Sequence, residues 1–131
     1  MARRTASGFT LIEVMIVMAL IVVLAGIGLA THANSQTRAR EAVLKENLFR
    51  MRDAIDQYYA DRNEYPATLG ALVTSTYLRT IPVDPLTNSA DTWQTTMSEL
   101  DGTNPSVQSG IFDVMSGSDR IAMDGTQYSE W

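Results

Sequence analysis

Cysteine is absent from the sequence, which excludes disulfides, cysteine nucleophiles and thiolate metal sites together. The absence does not locate the protein, because an extracytoplasmic chain can simply lack disulfides. Histidine is nearly absent as well. The single one, His32, reads as a polar residue just past the end of an apolar segment. No nucleophile stands beside a base, and there is neither a phosphate loop nor a zinc-ligand spacing, so an enzyme is a poor first reading. An excess of positive charge is also missing: the formal net charge is −5, and nucleic acid is not expected as a partner. No proline occurs between Phe9 and Tyr65, so nothing in that stretch breaks a helix. Internal repeats and low-complexity stretches are lacking too.

What is present divides into two halves. The 131 residues correspond to about one domain. Residues 9–30, FTLIEVMIVMALIVVLAGIGLA, carry a single charge, Glu13. At ~1.5 Å per residue a helix of that length spans roughly 33 Å, enough to cross a hydrocarbon core of about 30 Å. The run is too long for the apolar region of a cleaved secretory signal, and no A-x-A-like site follows it. Arg3 and Arg4 precede the segment while Arg38, Arg40, Lys45 and Arg50 follow it, so charge alone does not orient it. Gly26 and Gly28 read as ordinary membrane-helix glycines or as places of close helix packing.

After the apolar run the pattern becomes amphipathic. Leu44, Leu48, Met51, Ile55 and Tyr58 or Tyr59 fall at helical spacings on one stripe. Glu41 with Lys45, and Glu46 with Arg50, are acid-first i,i+4 pairs worth ~0.3 kcal/mol each. These features predict one helix from Phe9 to Arg62, with Asn63 as terminator and Pro66 closing off further helix. Thr68 to Leu78 can hold a short helix, and IPVDPLTN, residues 81–88, reads as a turn. Thr92 to Met97 and Val107 to Met115 are the strand candidates. SGSD, MDG and the final YSEW read as loops. The expected fold class is α+β: a long N-terminal helix whose amphipathic half packs on a small antiparallel sheet of two or three strands.

Gly8 followed by FTLIEV, with Arg3 and Arg4 before it, resembles the class III signal of type IV pilins and type II secretion pseudopilins. Beyond it, DRNEYP (61–66), LGALV (69–73), YLRTIPVDPLTN (77–88) and GIFDVMSGSD (110–119) resemble the major, G-type pseudopilins most closely. The resemblance implies four parts: a leader at 1–8, a transmembrane and filament-core helix at 9–30, its amphipathic half at 31–62, and a globular head at 63–131. It implies cleavage between Gly8 and Phe9 by a prepilin peptidase and N-methylation of Phe9. It further implies a single pass in a bacterial inner membrane with the head periplasmic, then extraction from lipid by an assembly platform. The product is a helical filament of many copies with minor pseudopilins, periplasmic or extracellular, that drives protein export. G-type pseudopilins also bind one calcium after the last strand. Asp119 matches the first aspartate position and Asp124 is the candidate for the second, although this loop is shorter and lacks the usual run of acids. Many relatives carry a proline late in the membrane segment; Ala30 stands there in this chain, so a kink would have to use Gly26 and Gly28.

A similar type IV pilin of a surface filament, serving adhesion, motility or DNA uptake, is the alternative reading. A single-pass anchored sensor or enzyme is the third. An acid inside an apolar helix costs ~2.5–3.5 kcal/mol at mid-bilayer and marks a functional candidate, although Glu13, about one turn inside, could also reach the headgroups. On the resemblance, cleavage creates its partner: the freed Phe9 amine of a neighbouring copy, making Phe9 and Glu13 the assembly residues.

Overall fold

The computed structural model describes residues 8–98 and 109–131. Two compact units divide the chain, Met1–Gln36 and Thr37–Trp131, and helix α1, Leu11–Arg62, contributes to both. The helix starts two residues after the expected Phe9 because Thr10 caps it: the Glu13 N–H donates to the Thr10 carbonyl at 3.1 Å and to Thr10 Oγ1 at 3.3 Å. It ends where expected. Asn63 turns left-handed (φ 55°), a conformation asparagine tolerates, and its N–H donates to Tyr59 O at 2.7 Å.

In the second unit α1 buries the expected stripe of Leu44, Leu48, Met51, Ile55 and Tyr58, with Ala54 between them. Tyr58 is the inward tyrosine; Tyr59 instead stacks on Tyr65 with ring centroids 4.5 Å apart. The stripe packs against Leu72, Trp93, Ile111, Val114, Ala122 and Tyr128. Each fully buried aliphatic side chain contributes about 1.5–3 kcal/mol, which is why this half of the helix is held in place by its head.

Helix α2, Leu69–Thr74, is shorter than the 68–78 expected. Thr68 caps its start, accepting the Ala71 N–H on Oγ1 at 3.2 Å. At its end the Tyr77 N–H donates to Leu72 O at 2.9 Å and the Thr76 N–H to Val73 O at 3.1 Å, a Schellman closure. That closure needs a left-handed residue, and Thr76 supplies it at φ 67°. A β-branched side chain is costly there, so Thr76→Gly should raise stability by about 1 kcal/mol in chemical denaturation.

Strands β1, Gln94–Met97, and β2, Ile111–Met115, pair antiparallel with Gln94 opposite Met115, Thr95 opposite Val114 and Thr96 opposite Asp113. Of the longer strand expected, Val107 and Gln108 lie outside the described residues. A bulge follows Thr96, so that Met97 faces Ile111 and Phe112 has no partner. The bulge has a consequence for packing. Residues three apart in a regular strand face opposite sides, yet Ile111 and Val114 are both buried because the extra residue shifts the phase. Of the tail, residues 128–130 form a 3-10 turn rather than a plain loop.

One joint fixes the segment before the sheet to the segment after it. Asp84 is wholly buried; its Oδ1 accepts the Leu86 N–H at 2.8 Å, and its Oδ2 accepts Ser116 Oγ at 2.6 Å and the Gly117 N–H at 3.3 Å. The expected turn within 81–88 therefore carries a carboxylate whose burial is compensated by three donors.

Candidate functional site

The first unit presents the signal residues together. Gly8 and Phe9 precede the helix in irregular, exposed backbone, so the bond between them is not locked into helical hydrogen bonding. Thr10 is the cap, which makes Glu13 the third helical residue, the spacing of a capping box. A carboxylate in a first turn faces the positive end of the helix dipole, an effect worth ~0.3–1 kcal/mol. Glu13 therefore has a local electrostatic reason for its position. Among the described residues it joins neither of the two ion pairs, so its charge is available to a partner. Phe9, Glu13, Val14, Val17 and Met18 together line a hollow of about 240 Å³.

The apolar side chains around that hollow are bare. Phe9 is 83% exposed and Leu11 82%, and the most apolar stretch of α1 buries none of its residues while being long and apolar enough to cross a membrane. Gly26 and Gly28 have open space beside them and lie within α1, not at a break in it. Beyond them the helix turns polar: Thr31 Oγ1 donates to Ile27 O at 3.0 Å, Ser35 Oγ to Thr31 O at 2.9 Å, and His32 and Gln36 side chains lie 2.9 Å apart.

In the second unit the tail meets α1 through contacts that the helical spacings do not announce. Of the two expected i,i+4 pairs, Glu46–Arg50 forms at 2.8 Å and Glu41–Lys45 does not. Glu41 Oε1 instead accepts the Met123 N–H and the Tyr128 hydroxyl, each at 2.8 Å. Two charge-assisted bonds, one of them to the buried Tyr128, are stronger than an exposed pair worth ~0.3 kcal/mol. Lys45 Nζ lies 4.4 Å over the Trp131 ring. Arg52 donates to Asp113 Oδ1 at 2.7 Å, to Val114 O at 3.0 Å and to Trp131 O at 2.8 Å. Arg52 follows the buried Met51 directly, the only trace of this role in the sequence.

Asp119 and Asp124 are both exposed on the tail. Asp124 Oδ1 accepts Thr126 Oγ1 at 2.6 Å and the Thr126 N–H at 3.0 Å, and these bonds hold its carboxyl below the usual carboxylate range. Among the described residues no three Asp, Glu or His side chains converge as a metal centre would require.

Burial, then the bond to Glu41, pushes the Tyr128 hydroxyl above its ordinary value. The unfolded chain ionises this group near pH ~10 and the folded chain resists. The stabilisation is therefore whole below about pH 10 and is lost as pH rises through the higher folded value. We expect the unfolding midpoint to fall on the alkaline side of pH ~10, and Tyr128→Phe to flatten that fall while lowering the neutral-pH stability by about 1 kcal/mol.

Residues 3–29 match the prokaryotic N-terminal methylation motif. The chain is 34% identical over 104 residues to the type II secretion system core protein G of Pseudomonas aeruginosa, covering 67% of this chain and 73% of that protein. It is 30% identical over 104 residues to the core protein G of Aeromonas hydrophila, with the same shares covered. A fimbrial protein of Eikenella corrodens is 31% identical over 88 residues, covering 63% of this chain and 58% of that protein. No solved structure matches significantly. The match to the first two relatives runs well beyond the methylation motif, and the chain belongs to the family of the type II secretion system core protein G.

Proposed function

We propose that the chain is the major structural subunit of a type II secretion pseudopilus. A prepilin peptidase cuts between Gly8 and Phe9, the new Phe9 amine is methylated, and the leader side is cytoplasmic. The helix holds the precursor in the inner membrane with its head periplasmic. An assembly platform then transfers it, with minor pseudopilins, into a filament that drives protein export. The reading gives the chain no catalytic role. The observation that carries it is the bare apolar segment beginning at Phe9 with an acid in its first turn. Such a surface must be covered by lipid or by other copies of itself, since aliphatic burial contributes about 25 cal/mol per Å².

Support for the secretion role comes from the core protein G relatives of Pseudomonas aeruginosa and Aeromonas hydrophila, which match 67% of the chain against 63% for the fimbrial protein. That fimbrial likeness favours a second reading, a pilin of a surface filament. Deleting the gene separates them. Loss of exoprotein secretion with surface filaments intact supports the pseudopilin; loss of long surface filaments with secretion intact supports the pilin.

A further inference from the structure

The tail is held from one stripe of α1. Glu41, Lys45 and Arg52 stand at i, i+4 and i+11, which brings them within about 40° of one another around a helix of 3.6 residues per turn. Each grips the tail by different chemistry. Glu41 accepts from Met123 and Tyr128, Lys45 covers the Trp131 ring, and Arg52 ties the Trp131 carbonyl to Asp113 and Val114 of β2. The tail also closes on itself: the Ala122 N–H donates to Thr126 O at 2.7 Å, the Tyr128 N–H to Arg120 O at 3.1 Å, and Trp131 Nε1 to Thr126 Oγ1 at 2.7 Å.

We propose that these three helix side chains latch the tail of the head in place of a divalent cation. The donors present suit a cation poorly. Calcium takes six to eight oxygens. Here one Asp124 oxygen is engaged by Thr126, and the carbonyls of Arg120, Ala122, Thr126, Gln127 and Tyr128 already accept backbone amides. Asp124 also opens on a cleft of about 470 Å³ lined by Glu130 as well as by Lys45 and Arg52, so two positive side chains offset its two carboxylates and leave little net pull on an arriving cation. The resemblance to G-type pseudopilins carries the opposite expectation, which makes the two separable.

The test is thermal unfolding of the full chain in detergent, followed by near-ultraviolet circular dichroism from Trp93 and Trp131. With the latch, the wild-type midpoint is the same in excess calcium chloride and in excess chelator. Lys45→Met and Arg52→Met each lower it by about 4–8 °C, in both solutions alike. A wild-type midpoint several degrees higher in calcium overturns the proposal, since a cation that binds only the folded state must raise it. Unchanged midpoints in both variants overturn it equally. The wild-type comparison stands even if a variant does not fold.

Discussion

Glu13→Val should insert into the membrane and lose its leader normally, yet yield no filaments. Valine suits an apolar segment better than an acid does, so insertion improves, and the residues at the cut, Gly8 and Phe9, are untouched. The Thr10 cap also survives, because it uses the backbone N–H of residue 13 and not its side chain. What disappears is the charge. On the proposed reading a docking subunit brings its freed Phe9 amine to Glu13 of a neighbour in a region without water. Removing one member of a desolvated ion pair costs about 2–5 kcal/mol, or roughly thirtyfold to several thousandfold in affinity for each docked subunit. Filament growth compounds that loss at every addition. Electron microscopy of sheared filaments, with immunoblots of the processed and unprocessed forms, measures both halves of the expectation; normal filaments from the variant would remove Glu13 from the assembly contact.

The second large effect is expected in the head. Gly117 lies at the joint where Asp84 binds Ser116, and a methyl group on it would overlap the Thr92 carbonyl oxygen and come within 2.9 Å of the carbonyl carbon. Those are backbone atoms, which cannot rotate away as a side chain does. Relief would require the joint to open, weakening the Gly117 N–H bond to Asp84 and exposing a carboxylate that is now wholly buried. Gly117→Ala should therefore destabilise the head by about 3 kcal/mol or more, a fall of roughly 12 °C or more in the unfolding midpoint. Gly28→Ala is the matched control. A methyl there meets nothing within 4 Å, and alanine favours a helix, so the head's midpoint should not move.

The parts legible in the sequence are those governed by local chemistry. The stripe from Leu44 to Tyr58 follows from helical spacing, and the end of α1 follows from what Asn63 tolerates. A turn within 81–88 was readable from its residues, but the burial of Asp84 was not, because its partners Ser116 and Gly117 lie some thirty positions away. The same reason hid the tail's attachment. Glu41 and Lys45 look like a helix pair by spacing, yet each has a better partner in residues 123–131, and only the packed head brings those partners near. The bulge at Thr96 is likewise invisible in strand propensity, since it depends on which residues of β2 must face the core. For the N-terminal site the balance is reversed. Its order of residues was fully visible, and the structure adds why an acid is tolerated there: Glu13 occupies the first turn of a capped helix.

The central claim is that the working protein begins at Phe9. Mass spectrometry of the N-terminal peptide from the membrane-bound protein tests this most directly. The account requires a peptide that starts at Phe9 and carries a methyl group on its amine. A peptide that starts at Met1 would contradict it, because the amine that Glu13 is to meet would never have been formed.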